Sequence, residues 1–281
     1  MKVAKYSGEL VEFEKDKLVK SLLKSGADEV VVAQILNNVE RELYDGIPTK
    51  KLYKLAYQQL KNYSKVHAAR YHLRSAILAL GPAGFYFEKF IAKVFENEGY
   101  QVLLNQTLQG NCVSHEIDVL LKKQGQITMV ECKFHANQDV KTDVKVPMYI
   151  LSRFNDLKKQ SFDFPWGTSS INRCLLVTNN RFTEDALAFA NCSVIAILSW
   201  DAPLGNSIRD KVDTFQLYPI TCLTTLSMAE KELLLQQEII IVKDVLLRPD
   251  SLSFIGISPG RIKNIIKEAQ QLCHNNKALQ S

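Results

Sequence analysis

The sequence has no apolar run of the roughly 18–20 residues that a membrane-spanning helix requires. Its first residues, Met1-Lys2-Val3-Ala4-Lys5-Tyr6-Ser7-Gly8, lack the apolar core of a signal peptide. A cytoplasmic protein with no membrane partner is expected. The six cysteines, at 112, 132, 174, 192, 222 and 273, form no CxxC pair and no even framework. This disfavours a zinc site and predicts reduced, mostly buried thiols. No segment is repeated or of low complexity. Neither sign of charge dominates: the formal net charge is +5, and the excess lies in residues 1–83, with 14 Lys and Arg against 9 Asp and Glu. Such weak basicity permits nucleic-acid binding without arguing strongly for it; an N-terminal excess also suits the phosphates of a small ligand. At 281 residues, 46% hydrophobic and 23% charged, the chain is an ordinary globular sequence too long for one core, so two or three domains are expected.

The stretch that carries chemistry is His115-Glu116-Ile117-Asp118-Val119-Leu120-Leu121, a polar link Lys122-Lys123-Gln124-Gly125-Gln126, then Ile127-Thr128-Met129-Val130-Glu131-Cys132-Lys133-Phe134. Two β-branched apolar runs around a short Gly-containing link read as a β-hairpin. With Gln124-Gly125 as the turn, Asp118 stands opposite Glu131, and Lys133 follows on the same strand face. Opposed like charges on a sheet repel. A divalent cation held between the carboxylates removes that repulsion, and hard oxygen ligands suit Mg²⁺ or Mn²⁺. Two carboxylates with an adjacent ammonium are what metal-assisted phosphodiester hydrolysis requires. The alternative is a half-buried hairpin with solvated or loosely paired charges. A slip of one residue would set Asp118 against Cys132 instead.

Ile117-Asp118-Val119 followed by Val130-Glu131-Cys132-Lys133 resembles the Asp…Glu-x-Lys core of the PD-(D/E)xK nucleases, nearest to the Mrr-like restriction endonucleases and the archaeal-type Holliday junction resolvases. Phe87-Glu88-Lys89-Phe90 supplies, as Glu88, the acidic residue that the pattern places on a preceding helix, and Gly99-Tyr100-Gln101-Val102 resembles the helix-to-strand step. The resemblance spans roughly residues 84–200. It implies a restriction-endonuclease-like α/β/α sandwich, Mg²⁺, a DNA substrate, catalytic roles for Glu88, Asp118, Glu131 and Lys133, and metal ligation by Asp118 and Glu131.

Upstream, the first fifteen residues read as a strand pair, Lys2–Tyr6 and Leu10–Phe13 around Ser7-Gly8. Helices follow, capped by Asp16, Asp28 and Thr49, and a fourth runs from Val66 to Leu80. Gly81-Pro82-Ala83-Gly84 marks a boundary. The arrangement is similar to the ATP-cone, the regulatory domain of ribonucleotide reductases and of their transcriptional repressor. The residues that carry the likeness are Val3-x-Lys5-x-x-Gly8, Phe13, Lys17-Leu18, Gly46-Ile47-Pro48-Thr49 and Ala68-Ala69-Arg70-Tyr71. It implies ATP or dATP as effector, with Lys5, Lys17 and Arg70 as phosphate contacts; the cone family usually carries Lys-Arg where this chain has Lys5-Tyr6. The alternative is a structural helical domain without its ligand.

Within the middle region, residues 85–98 make an amphipathic helix with Phe87, Phe90, Ile91, Val94 and Phe95 on its buried stripe and Glu88 off it. Val140–Leu157 reads as a helix interrupted by Pro147, Cys174–Thr178 as a buried parallel strand, Thr183–Asn191 as a helix and Val194–Leu198 as a strand. His115, Glu116 and His135 read as surface residues. In the tail, Ser227 and Glu230 form a capping box, and Val242–Leu247 is helical. Phe254-Ile255-Gly256-Ile257-Ser258-Pro259-Gly260-Arg261-Ile262-Lys263 resembles the second half of a helix-hairpin-helix, with Arg261 and Lys263 toward DNA phosphate; the alternative is a helical cap on the nuclease domain. The expected protein is thus an ATP-cone (1–83), a nuclease domain (84–202) and a C-terminal helical region (203–281). It would be a homo-oligomeric, metal-dependent DNA endonuclease, restriction-like or structure-specific, regulated by nucleotide. The competing class is a non-catalytic, nucleotide-responsive DNA-binding protein.

Overall fold

The computed structural model describes residues 1–5, 8–81 and 84–274. Tyr6, Ser7, Pro82 and Ala83 lie outside the described residues, and so does the Lys5-Tyr6 step of the cone resemblance.

In residues 1–76, strands β1 (Lys2–Ala4) and β2 (Leu10–Glu12) pair antiparallel with Val3 opposite Val11. Helix α1 (Lys15–Lys24) has Glu14 at its N-cap with no side-chain bond, and Asp16 sits in the first turn instead. There its charge is favourable with the helix dipole without capping a backbone N–H. Helix α2 (Glu29–Arg41) starts as expected, Asp28 accepting from the Val31 N–H at 2.8 Å. The Gly46–Thr49 turn contains a short strand β3 (Ile47–Pro48), parallel to β1. Helix α3 (Thr49–Tyr63) begins on Thr49 with Pro48 at the N-cap. The single fourth helix is in fact two, α4 (Lys65–Tyr71, capped by Ser64) and α5 (Leu73–Leu78), broken at His72. Leu22, Val32, Ile35, Val39, Ile47, Ala56 and Leu60 share one buried cluster.

Residues 77–217 alternate helices and strands. Helix α6 (Phe85–Asn97) buries Phe87, Phe90, Ile91, Val94 and Phe95, the stripe its spacing predicts. Strands β4 (Gln101–Gln109), β5 (Ser114–Lys123) and β6 (Gln126–Lys133) follow. A two-residue strand β7 (Lys141–Thr142) precedes helix α7 (Lys145–Leu157). The helix starts later than expected, so Pro147 falls in its first turn, where no intrahelical N–H bond is needed, and interrupts nothing. A small hairpin β8 (Phe162–Phe164) and β9 (Gly167–Ser169) leads to β10 (Arg173–Thr178), β11 (Arg181–Phe182), helix α8 (Glu184–Cys192), β12 (Ala196–Leu198) and helix α9 (Ile208–Phe215). The central sheet has the order β12-β10-β6-β5-β4, with β12, β10 and β6 parallel and β5 and β4 antiparallel to their neighbours. Helix α6 packs on β4 and β5, α7 on β10 and α8 on β12. This is the α/β architecture expected, with a mixed sheet at its centre.

Residues 218–274 form a short 3-10 turn (Ile220–Cys222) and helices α10 (Met228–Gln236), α11 (Val242–Leu247), α12 (Asp250–Phe254) and α13 (Pro259–His274). The capping box of Ser227 and Glu230 is present. The chain divides into two compact units, one of residues 1–76 with 218–281 and the other of 77–217. Within the first, Thr221 Oγ1 donates to the Ala76 carbonyl at 2.6 Å and Lys61 Nζ to the Thr224 carbonyl at 3.2 Å. The carboxylate of Glu268, buried on α13, accepts from the backbone N–H groups of Thr224 and Thr225. Helix α13 packs against α4 and α11 and buries Ile265, Ala269 and Leu272. No helix among the described residues is long and apolar enough to cross a membrane. The cysteines are all free, as expected, but Cys112 and Cys192 are exposed and Cys132 half-buried, so only Cys174, Cys222 and Cys273 are buried.

Candidate active site

The hairpin β5–β6 has the register its turn predicts. Gln124 and Gly125 occupy the left-handed region (φ 52° and 75°), as a two-residue turn of this kind demands. Val119 pairs with Val130, Leu120 with Met129 and Lys123 with Gln126. The ladder ends there. Asp118 belongs to no pair with β6, and the β4–β5 ladder also skips it, at Asn105, whose φ is 50°. The register of the ladder, continued one step past Val119 and Val130, would set Asp118 opposite Glu131 as expected, but the backbone ladder stops short of that step. Instead of a backbone partner, the Cys132 N–H has the Asp118 carboxylate, at 2.7 Å.

Glu88 reaches the same place from α6. Gly84 caps that helix with φ 80°, and a Cβ there would lie 3.5 Å from Glu88 Oε1 and 3.6 Å from Phe134 Cβ. The first turn of α6 is thus pressed against the end of β6, and the Phe87 and Phe134 rings stand 5.6 Å apart. Three carboxylates then crowd one another. Burial, and then Asp118, push Glu131 up to about 7. Burial, followed by Asp118 and Glu116, pushes Glu88 up to about 7 as well. Asp118 is also raised, mainly by burial, against the Cys132 hydrogen bond and the nearby Arg153 that favour its ionised form. Carboxyl groups with such raised values need either a proton or a cation. Lys133, two residues beyond Glu131, is exposed, and no ion pair among the described residues engages it. Its carbonyl accepts from Thr178 Oγ1 at 2.8 Å, which fixes the strand end that carries it.

Two side chains of α7 complete the surroundings, and the sequence pointed to neither. The Arg153 guanidinium is joined to the Glu131 carboxylate and to the Glu116 carbonyl, and lies 5.6 Å from the Tyr149 ring centre. Asp156 accepts from the Cys112 N–H at 2.8 Å and from His115 Nε2 at 2.8 Å. The imidazole contact, followed by the backbone N–H of Cys112, holds Asp156 down at about 2. A Cβ on Gly110 would meet Asp156 Oδ2 at 2.2 Å, so the turn before β5 needs a glycine for this approach. His115 is therefore not the surface residue expected: its side chain is 10% exposed and bound to α7. His135 is likewise engaged, its Nε2 2.8 Å from Thr142 Oγ1 and its backbone N–H on Asn179 Oδ1. Glu116 is exposed, as expected, yet close enough to raise Glu88 and Asp118.

Among the described residues no group of three His, Cys, Asp or Glu side chains makes a ready metal shell. The donor set nevertheless fits a hard divalent cation, since Mg²⁺ keeps several waters and is commonly bound through one or two carboxylates together with substrate phosphate.

The other residues singled out belong to the other compact unit. Lys5 is paired with Glu9 at 2.9 Å and Lys17 with Glu14 at 2.6 Å, both exposed. Arg70 lies beside Gly26 and His67. Helices α12 and α13 do meet at a tight turn, with Gly256 at φ 80°. Arg261, however, forks onto Glu230, with Nη2 at 3.0 Å from Oε2 and 3.1 Å from the Thr225 carbonyl. Lys263 is exposed.

Three regions of the chain match known protein families. Residues 1–76 match an ATP cone domain, residues 82–202 a restriction endonuclease domain of the Mrr type, and residues 218–273 an AF1548-like C-terminal region. A solved protein of unknown function, AF1548, is 29% identical, with a TM-score of 0.56 over 67% of this chain and 97% of that one. Can2 from Sulfobacillus thermosulfidooxidans, solved with cyclic tetra-adenylate, is 12% identical with a TM-score of 0.33 over 65% of this chain and 50% of that one, a likeness that carries nothing over. An uncharacterised protein of Archaeoglobus fulgidus is 33% identical over 186 residues, 65% of this chain and 99% of its own length. With a relative of that identity matched over almost its whole length, the chain belongs to the AF1548-like family, and it joins an ATP-cone domain to a restriction-endonuclease-like domain.

Proposed function

We propose that the protein hydrolyses DNA phosphodiesters with Mg²⁺ or Mn²⁺ and that ATP or dATP at the cone regulates it. The observation that carries this reading is the gathering of Glu88, Asp118 and Glu131 at the end of β6, each raised by burial and by carboxylate neighbours, two residues from an exposed Lys133. A sheet gains nothing in stability from such crowding, and perturbed carboxylates of this kind cluster at functional sites.

Asp118 and Glu131 would hold the cation, and Glu88 would hold its waters. A divalent cation there supplies Lewis-acid stabilisation of phosphoryl charge and a water of lowered pKa. Lys133 brings an ammonium to the same strand end, where it orients the attacking water and offsets charge on the phosphate oxygens. The Cys132 N–H holds one oxygen of Asp118, and the other would take the cation. At the cone, Lys5 and Lys17 would leave their exposed acidic partners for nucleotide phosphates, exchanges that cost little because surface ion pairs are weak. Nucleotide then shifts activity by binding one conformational or oligomeric state better than another.

The test is incubation of the full chain with plasmid and with branched DNA, with Mg²⁺ or with chelator, in the presence and absence of ATP. Cleavage that requires Mg²⁺ and changes with ATP supports the reading. DNA binding without cleavage in any condition would favour a non-catalytic, nucleotide-responsive DNA-binding protein.

A further inference from the structure

Arg153 stands where a divalent cation would act. It is 8% exposed, and its two guanidinium nitrogens are used separately, Nη1 on Glu131 and Nη2 on the Glu116 carbonyl. These acceptors lie on the two strands that flank the break at Asp118. The helix that carries Arg153 is itself pinned to the start of β5, since Asp156, three residues on, binds the backbone N–H groups of Cys112 and Val113 together with His115. The guanidinium is therefore delivered to the carboxylates by a rigid element. Burying carboxylates beside one another is costly unless a cation is present, and a buried charge pair is retained only where each partner is satisfied.

We propose that Arg153 is a positioning residue that occupies the metal site in its empty state. It neutralises Glu131 while no divalent cation is bound. An arriving cation displaces it from that carboxylate, and the guanidinium then remains beside the site on the Glu116 carbonyl and the Tyr149 ring. Metal affinity is accordingly set by a competition between two cations for Glu131, and the arginine keeps the empty site folded at the expense of affinity. This inference rests on the reading of Asp118 and Glu131 as metal ligands.

The experiment is calorimetric titration of Mn²⁺ into the metal-stripped full chain, comparing wild type with Arg153→Met, Arg153→Lys and Asp118→Asn. Removal of a competing charge at close range predicts Mn²⁺ binding at least about tenfold tighter in Arg153→Met. Arg153→Lys, which keeps the charge, should stay within about twofold of wild type on the same argument, and Asp118→Asn should lose the binding. The metal-free melting temperature of Arg153→Met should fall below that of wild type, and saturating Mn²⁺ should narrow the gap. Equal or weaker binding in Arg153→Met overturns the competition while leaving the metal site standing. Absence of Mn²⁺ binding in wild type and Arg153→Met alike, with both folded, overturns the metal site and the competition together. Should Arg153→Met fail to fold, the wild-type guanidinium resonance, assigned with Arg153→Lys by ¹⁵N NMR, serves in its place. Mg²⁺ should shift it and speed its proton exchange, and an unchanged resonance overturns the proposal.

Discussion

The two units of the chain treat their charges in opposite ways. In residues 77–217, Glu88, Asp118 and Glu131 are crowded together and raised, with one arginine bonded to the group, while Lys133 lies exposed without an ion-pair partner among the described residues. In the unit of residues 1–76 and 218–281, charges singled out for phosphate mostly meet a nearby acid: Lys5 meets Glu9, Lys17 meets Glu14 and Arg261 meets Glu230. Exposed charges answered by a nearby acid are ordinary on a surface and cost little to separate, whereas like charges gathered under burial are costly and single out a candidate functional site.

Asp118→Asn and Glu131→Gln should each lower Mg²⁺-dependent cleavage by about a hundredfold or more, the range seen when a group acting on the reacting atoms is removed. Cleavage within threefold of wild type in both would show the crowding to be structural. A sharper version compares stabilities. Glu88→Gln should raise the metal-free melting temperature by the equivalent of roughly 1 kcal/mol at pH 8, since it removes a half-buried charge that its neighbours disfavour. Glu230→Gln should lower it, by at most about 1 kcal/mol for so exposed a pair. The Arg261 guanidinium, and then the cap hydrogen bonds, hold Glu230 down at about 2 against an ordinary 4.5. Its contribution is therefore complete above pH 4.5 and disappears as pH falls toward 2. The melting difference between wild type and Glu230→Gln should shrink over that window. A difference that grew on acidification would contradict the assignment.

Much of this organisation was legible from local pattern. The turn Gln124-Gly125 set the hairpin register, because two residues with positive φ suit an amide and a glycine. The stripe from Phe87 to Phe95 followed from helical spacing. What local pattern missed is contact between distant stretches. Arg153 lies 22 residues from Glu131, on a helix whose start was misplaced because Pro147 read as an interruption rather than a first-turn residue. His115 read as exposed because Asp156, its partner, is 41 residues away. Nothing in the spacing of Thr221 or Glu268 announced that the last helices share a unit with the first, which required the pairing of Thr221 with Ala76 across 145 residues. The break at Asp118 was equally invisible, since ideal alternation has no place for a left-handed Asn105.

The cone unit offers a test by ligand. Saturating ATP should raise the melting temperature of the full chain, by the equivalent of about 2.7 kcal/mol at a hundred times its Kd. The full chain is the proper sample, because residues 218–281 are part of this unit. Lys5→Ala should reduce the shift, and no shift at millimolar ATP would leave the domain a structural one. The smallest effect concerns DNA affinity. If the α12–α13 turn touches phosphate, Lys263→Ala should flatten the log–log salt dependence by roughly 0.9 on duplex DNA. Arg261→Ala, already engaged by Glu230, should leave that slope unchanged while lowering stability.

The crowded carboxylates and the exposed ammonium beside them are proposed to form a working hydrolytic site. Lys133→Ala tests it most directly, because that side chain is exposed and its loss leaves the buried cluster intact. The measurement is single-turnover cleavage of the DNA that wild type cuts, at saturating Mg²⁺, with the melting temperature recorded on the same samples. The melting temperature should be unchanged and the rate lower by about 10²–10⁴-fold. A folded Lys133→Ala protein that cuts DNA as fast as wild type would contradict it.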